Sequence, residues 1–479
     1  MSISRVLALA CFLMFACAAG PASAAQQPAA PTNFVIILVD DWGWTDVGFT
    51  GGKLYETPHI DKLAATGVRF SNAYSACTVC SPTRASLLTG KYPARLHITD
   101  WIHGHNRPFA KLKPPQWTEF LPREETTIAE ALKASQTAPA YATAAIGKWH
   151  LGDAKEGLPT DHGFDLNLGG TDRGQPPSYF SPYKIATLKD GPPGEYLTDR
   201  EAAEACRFFE ANKDRPFLLY LPHYAVHTPI QAKKEKIAKY QAKIAKMKED
   251  GQPVPQAHAG YAAMIESLDE SIGAITARLD ELKLRDRTLI ILTGDNGGLK
   301  LGNVTDNSPA RAGKGSAYDG GVRVPLVIAG AGVRPGVCAE PVITPDLFAT
   351  VIDLAGAADP RGEGKGDGLS LAPLLKDPAA KLPRDEIYWH YPHYHPGGAT
   401  PYSALRSRDW KLIHFYEDNR VELYNLSDDI SESKDLATAN PDKAAQLRAK
   451  LNRWREAVGA QDPVPNPNHD KEKDKKKGK

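Results

Sequence analysis

Five short runs of uninterrupted apolar residues constrain this chain more than any other feature. Phe34-Val-Ile-Ile-Leu-Val39 is the first, and Ala142–Ile146, Phe217–Leu221, Leu289–Leu292 and Pro325–Ala329 repeat the pattern. A run without polar alternation reads as a strand buried on both faces, the condition of a parallel sheet covered by helices. Helical stretches lie between the runs. The clearest spans Tyr261 to Leu282, where Met264, Ile265, Leu268, Ile272, Ile275, Leu279 and Leu282 recur at three- and four-residue spacing. The lysine-rich stretch Ala232 to Glu249 carries Ile237, Tyr240, Ile244 and Met247 on one stripe and predicts a solvated amphipathic helix rather than a binding patch. Strand and helix in alternation predict an α/β fold.

The pattern changes at Asp385. Ile387–His390, Ser403–Arg406, Trp410–Phe415 and Val421–Tyr424 are short alternating runs between polar turns, followed by a helical stretch from Lys443 to Val458. They predict a small α+β unit with an antiparallel sheet, at residues 385–462, after a large unit at 33–384. At 479 residues the chain exceeds one ordinary core, so two units are expected. The Lys/Asp/Pro-rich residues 463–479 predict a disordered tail.

The amino terminus has one basic residue, Arg5, an apolar run from Val6 to Ala19, and Ala22-Ser23-Ala24. This predicts an export signal over residues 1–24, cleaved before Ala25, then a linker at 25–32 and a periplasmic or secreted protein. The run is shorter than the roughly 20 apolar residues that span a bilayer, and no later segment is long enough, so no membrane span is expected. A net charge of +1 with 24% charged residues predicts no nucleic-acid partner. Cleavage leaves Cys77, Cys80, Cys206 and Cys338. They permit two disulfides, a Cys77–Cys80 redox pair or half a zinc site, the last lacking further cysteine ligands nearby.

Polar clusters follow the apolar runs: Asp40-Asp41, then Lys148 and His150, then His227, then Asp295-Asn296. In open α/β sheets ligands bind beyond the carboxyl ends of the strands, so these clusters are expected on one rim. Three carboxylates and one amide oxygen form a hard, oxygen-only set suited to calcium or magnesium rather than zinc. In Cys80-Ser-Pro-Thr-Arg84, Pro82 predicts a helix start that places Cys80 and Arg84 where backbone N–H groups favour an oxyanion.

Cys-x-Pro-x-Arg followed by Leu88-Thr-Gly-Lys91 resembles the signature of the type I sulfatase family. Further matches, in order, are Asp40-Asp41, Gly147-Lys-Trp-His150, His227-Thr-Pro229, Gly294-Asp-Asn-Gly297, Gly313-Lys314 and Gly320-Gly-Val-Arg-Val-Pro325. The resemblance implies the alkaline-phosphatase-like α/β fold with a mixed, mostly parallel sheet between helices. It also implies oxidation of Cys80 to formylglycine by a formylglycine-generating enzyme. One oxygen of the hydrated aldehyde would attack sulfur, His227 or Lys314 would protonate the leaving alcohol, and His150 would deprotonate the other oxygen to expel sulfate. By the same matching, Asp40, Asp41, Asp295 and Asn296 would bind calcium, with magnesium second, beside the modified Cys80, and Arg84 and Lys148 would neutralise charge.

The expected substrate is a sulfated saccharide or aryl sulfate, held by Lys148, His227 and Lys314, with a polar pocket of Asp100, Trp101, His103 and His105 as further contacts. His390, His393 and His395 either reach the same rim or form a packing turn. Two alternatives stand beside this reading: a phosphonate or phosphate ester hydrolase, and a catalytically silent glycan-binding protein that keeps Cys80 as a thiol.

Overall fold

The computed structural model describes residues 33–135, 140–359, 362 and 366–477. The expected signal and linker lie outside them. Eight strands form the central sheet: β1 (Asn33–Val39), β2 (Gly67–Phe70), β3 (Ala142–Ile146), β4 (Leu166–Leu168), β5 (Phe217–Pro222), β6 (Thr288–Gly294), β7 (Leu326–Gly330) and β8 (Gly336–Cys338). Their spatial order is β8-β2-β7-β6-β1-β5-β3-β4. All run in one sense except β7, which is antiparallel to both its neighbours. The α/β class and the mixed, mostly parallel sheet are therefore present.

β1 shows why the apolar runs are continuous. Val35, Ile37 and Val39 enter the core on one face, and Phe34, Ile36 and Leu38 enter the core on the other. Each such side chain contributes roughly 1.5–3 kcal/mol on burial. The first face is covered by α2 (Leu197–Asn212) and α3 (Ala259–Glu281), the second by α1 (Cys80–Thr89) and α4 (Pro345–Leu354). The helix at Lys234–Glu249 buries Tyr240, Ile244 and Met247, and its lysines pair with Glu56, Glu266 and Glu270. That is the amphipathic helix the stripe predicts.

After residue 385 a four-stranded antiparallel sheet follows: β9 (Glu386–Tyr391), β10 (Tyr402–Ser407), β11 (Trp410–Phe415) and β12 (Val421–Asn425). One face packs Leu405, Leu412 and Leu423 on Leu447 and Leu451 of α5 (Pro441–Val458). The other packs Trp389, Tyr402 and Ile413 against Tyr74, Cys77 and Val79, the segment leading into α1. The small sheet thus braces the chain just before Cys80.

The predicted disordered tail is not disordered over its described part. Val464–Pro465 pairs with Leu112–Lys113, the Asn466 side chain donates to Pro108 O and Ala110 O, and Asp474 pairs with Arg107. Composition pointed to solvent, but the backbone finds an open strand edge. Among the described residues no helix is long and apolar enough to cross a membrane.

Candidate active site

Loops at one end of the sheet deliver each charged side chain. β1 ends in Asp40, whose N–H donates to Ala225 O, and in Asp41, which sits in the left-handed region at φ 57°. β6 ends in Asp295-Asn296, and Asp295 N–H donates to Val39 O, locking the two strand ends together. After β3, Gly147 has φ 114°, and a Cβ there would lie 2.1 Å from Pro222 O. Only glycine allows that approach, which lets Lys148 N–H donate to Pro222 O and turns its side chain to the rim. Because β7 is antiparallel, the segment before it lies at the same rim, which is how Lys314 arrives there.

The floor is a buried lattice of opposite charges. Arg84 donates through Nε and Nη2 to Asp295 Oδ2 (3.1 and 2.7 Å) and through Nη1 to Lys148 O (2.9 Å). Lys148 Nζ pairs with Asp40 Oδ2, and Lys314 Nζ with Asp41 Oδ1 at 2.7 Å. Asn296 Nδ2 donates to Asp41 Oδ1 (2.8 Å). Burial and the neighbouring Asp40 push Asp295 up to about 6. Burial raises Asp41 too, but Lys314 and His227 outweigh it and hold that carboxyl well below its ordinary range.

Three oxygens in this lattice, Asp40 Oδ1, Asp41 Oδ2 and Asn296 Oδ1, are buried without a partner. Acceptors left this way cost about 1–3 kcal/mol each. A hard divalent cation would satisfy all three, so the donor set fits calcium or magnesium. Asp40, Asp41 and His227 also bring ligand atoms within 4.8 Å of one another. His227 Nδ1–H donates to Thr228 O, so its Nε2 lone pair lies 3.6 Å from Asp41 Oδ2, a repulsive arrangement unless a proton or cation comes between.

Cys80 is the first residue of α1, two positions earlier than Pro82 suggested. Its Sγ lies 3.3 Å from His150 Nδ1, and His150 Nε2 lies 2.6 Å from Ile102 O. A carbonyl only accepts, so Nε2 carries the proton and Nδ1 presents its lone pair to residue 80. Burial, then Lys148, holds His150 well below its ordinary value and therefore neutral. Burial raises the Cys80 thiol despite Lys148 and Lys314, so a thiolate is disfavoured. All four cysteines among the described residues are free, so no disulfide joins them, and Cys77 is not among the grouped metal donors.

These residues open into a cleft of about 340 Å³ lined by Asp41, Cys80, His150, His227 and Lys314, with Trp101, Ile102, Gly174, Gln175, Leu301 and His395 at its walls. The family model that matches residues 32–357 is described as Sulfatase. The chain belongs to the sulfatase family. A second model, described as N-sulphoglucosamine sulphohydrolase, C-terminal, matches residues 313–457. This sulfatase is 29% identical over 507 residues to a protein named Sulfatase from Formosa agariphila, covering 88% of each chain. It is 31% identical to arylsulfatase A of Homo sapiens over 89% of this chain and 82% of that protein. The crystal structure of Ps i-CgsB in complex with k-i-k-neocarrahexaose superposes with a TM-score of 0.73 at 29% identity, covering 89% of this chain and 93% of that one. The relatives are sulfuric ester hydrolases, and so is this protein.

The sulfatase brings together the expected Asp40, Asp41, Cys80, Arg84, Lys148, His150, His227, Asp295, Asn296 and Lys314. It does not bring Asp100 or His105 to the cleft. Asp100 is buried, accepting from Tyr391 O–H (2.7 Å) and Trp101 N–H, and its burial raises it to about 7. His105 is half-buried and lines no wall. Of the late histidines only His395 reaches the cleft, while His390 binds Ser403 and Gln461 O and His393 binds Thr99. Trp101, expected as a pocket residue, does line the cleft, whereas Gln175 and Leu301 carry no motif and were invisible in the sequence. A buried Glu201–His223–Ser271 chain (2.6 and 3.1 Å) has the order of an acid–histidine–hydroxyl triad, but its members are at most 3% exposed and brace α2 and α3 against the rim.

Gly174 is the wall residue with least room. A Cβ there would lie 2.6 Å from His150 Cε1 and 2.9 Å from Nε2, so the ring must move. Gly174→Ala is expected to lower kcat/KM on the order of 10²-fold, the scale for misplacing a reacting group by about 1 Å. Steady-state kinetics on an aryl sulfate checks this, and parent-like values would mean the ring has slack.

Proposed function

We propose that this sulfatase hydrolyses sulfate esters of saccharides using a nucleophile made from Cys80 by oxidation to formylglycine. The contact between residue 80 and the unprotonated His150 Nδ1 carries this reading. Formylglycine supplies, when hydrated, two hydroxyls where the thiol stands, and the high pKa of the buried thiol supports the need for that replacement. Asp40, Asp41, Asp295 and Asn296 would hold the cation, calcium rather than magnesium, which supplies positive charge against the sulfate oxygens.

The chain's own residues then divide the work. Arg84, pinned by Asp295, and Lys148, pinned by Asp40, are held in the floor and stabilise negative charge above α1. His150 Nδ1 accepts a proton from a group on Cβ of residue 80. Lys314 and His227 face the cleft where the ester oxygen departs. Burial and Lys314 hold His227 down to about 3, with its one proton committed to Thr228 O, so Lys314 is the residue with a proton to give.

The three carboxylates and three cations of the floor cancel, so a divalent cation leaves an excess positive charge that an anionic ester complements. Trp101 beside hydrogen-bonding groups suits a sugar ring. The expected catalytic unit at 33–384, smaller unit at 385–462, export from the cytoplasm and maturation by a formylglycine-generating enzyme belong to this proposal. The test is the mass of the Cys80 peptide from protein made with and without that enzyme, paired with sulfate release from sulfated saccharides and phosphate-ester controls. An aldehyde together with sulfate release is the expected result. A thiol in both preparations moves the protein to the silent-binder reading, and preference for the phosphorus esters moves it to the rival hydrolase.

A further inference from the structure

The cleft does not end at the sulfate-binding floor. A second lobe of about 310 Å³ continues it, sharing Ile102, Gly174 and Gln175 with the inner lobe and adding His103, Asp172 and Arg173. Each lobe reaches the roughly 300–1,000 Å³ that encloses a small organic ligand. A single sulfated sugar seated at Cys80 would leave the outer lobe to water.

The outer lobe offers ready hydrogen-bonding groups. Asp172 and Arg173 are adjacent in sequence yet form no ion pair with each other, and no described residue pairs with the exposed Arg173 guanidinium. His103 is tied through Nδ1 to Glu119 Oε2 (3.2 Å), leaving Nε2 toward solvent. Gln175 stands on the ridge between the lobes with its Oε1 accepting from Thr228 Oγ1 (3.2 Å), which leaves its amide N–H groups to give. Acceptor, donor and cation around a hollow that Pro176 and Pro177 also line are the chemistry that reads sugar hydroxyls and a ring substituent.

We infer that the outer lobe is a subsite for a second sugar unit, so that this sulfatase takes sulfated oligosaccharides in preference to monosaccharides, with Arg173 as a specificity-determining residue. The inference rests on the saccharide reading above. The ridge gives the subsite a second consequence. The loop that carries Arg173 runs so close to His150 that a Cβ at Gly174 would lie 2.6 Å from its ring, so filling the outer lobe steadies the catalytic ring as well as adding affinity, and kcat rises along with the fall in KM.

The test compares kcat/KM for a sulfated monosaccharide and for a trisaccharide bearing the same sulfated unit, using the mature full-length chain and its Arg173→Ala and Arg173→Lys variants, with an aryl sulfate as a reference. The parent is expected to favour the trisaccharide, with a gain in kcat. Arg173→Ala should lower the trisaccharide-to-monosaccharide ratio about tenfold, the size of one charge-assisted hydrogen bond, and Arg173→Lys should restore part of it. Equal constants for the two sugars, or a ratio untouched by Arg173→Ala, overturn the subsite while the saccharide reading stands. Cleavage of the aryl sulfate with no sugar turned over overturns the saccharide reading itself.

Discussion

Replacing Cys80 with alanine is expected to bring sulfate-ester turnover to background, a loss on the order of 10⁶-fold if residue 80 is the nucleophile. The melting temperature should stay within about 3 °C of the parent. Both halves follow from the geometry. The Cys80 side chain projects from the first residue of α1 toward His150 Nδ1, and it holds up no other part of the fold. The helix does not depend on it either. Its amino-terminal turn is fixed by Thr83 Oγ1, which donates to Val79 O and accepts from Cys77 N–H, and its far end by Gly90 in the left-handed conformation. Removing one sulfur leaves a small void at the cleft floor, not in the core. Sulfate release and thermal melting of the same preparation decide the matter. Turnover well above background would place the nucleophile elsewhere, and a collapse of melting temperature would make Cys80 a structural residue.

The site was legible in the sequence to the extent that its residues are fixed to strand ends. Asp40, His150 and Asp295 follow β1, β3 and β6, and a parallel sheet carries such residues to one rim whatever the loops do. Lys314 precedes its strand instead, and only the reversed direction of β7, a tertiary fact, brings it to the same rim. Short strands were the harder part. β2, β4 and β8 are three or four residues long, too short for periodicity to separate from a loop, yet they widen the sheet on both edges. Asp100 misled for a different reason. It is polar and near the motif in sequence, but the course of its loop is tertiary information, and its partner Tyr391 is 291 residues away. The outer wall of the cleft, Gln175 and Leu301, comes from long loops whose course no local pattern encodes.

Stripping divalent cations with a chelator is expected to abolish activity and lower the melting temperature, and calcium should restore both more fully than magnesium. The buried lattice requires this. Asp40 Oδ1, Asp41 Oδ2 and Asn296 Oδ1 lost their water on folding and gained no protein donor, so the folded state carries their desolvation cost until a cation meets them. A ligand that binds only the folded state stabilises it by about 4 kcal/mol at a thousandfold excess over its Kd, which is enough to move a melting curve. Calcium accommodates irregular oxygen shells, whereas magnesium demands near-octahedral geometry. Asn296→Ala separates ligation from charge, because it removes one neutral oxygen and leaves every carboxylate in place. It should raise the calcium concentration needed for half-maximal activity without changing which ion is preferred. Zinc outperforming calcium would instead assign the ion to the nitrogen-bearing trio of Asp40, Asp41 and His227, since imidazole suits zinc where carboxylate and amide oxygens suit calcium. His227 would then be a ligand, and Lys314 would keep the role of protonating the departing alcohol.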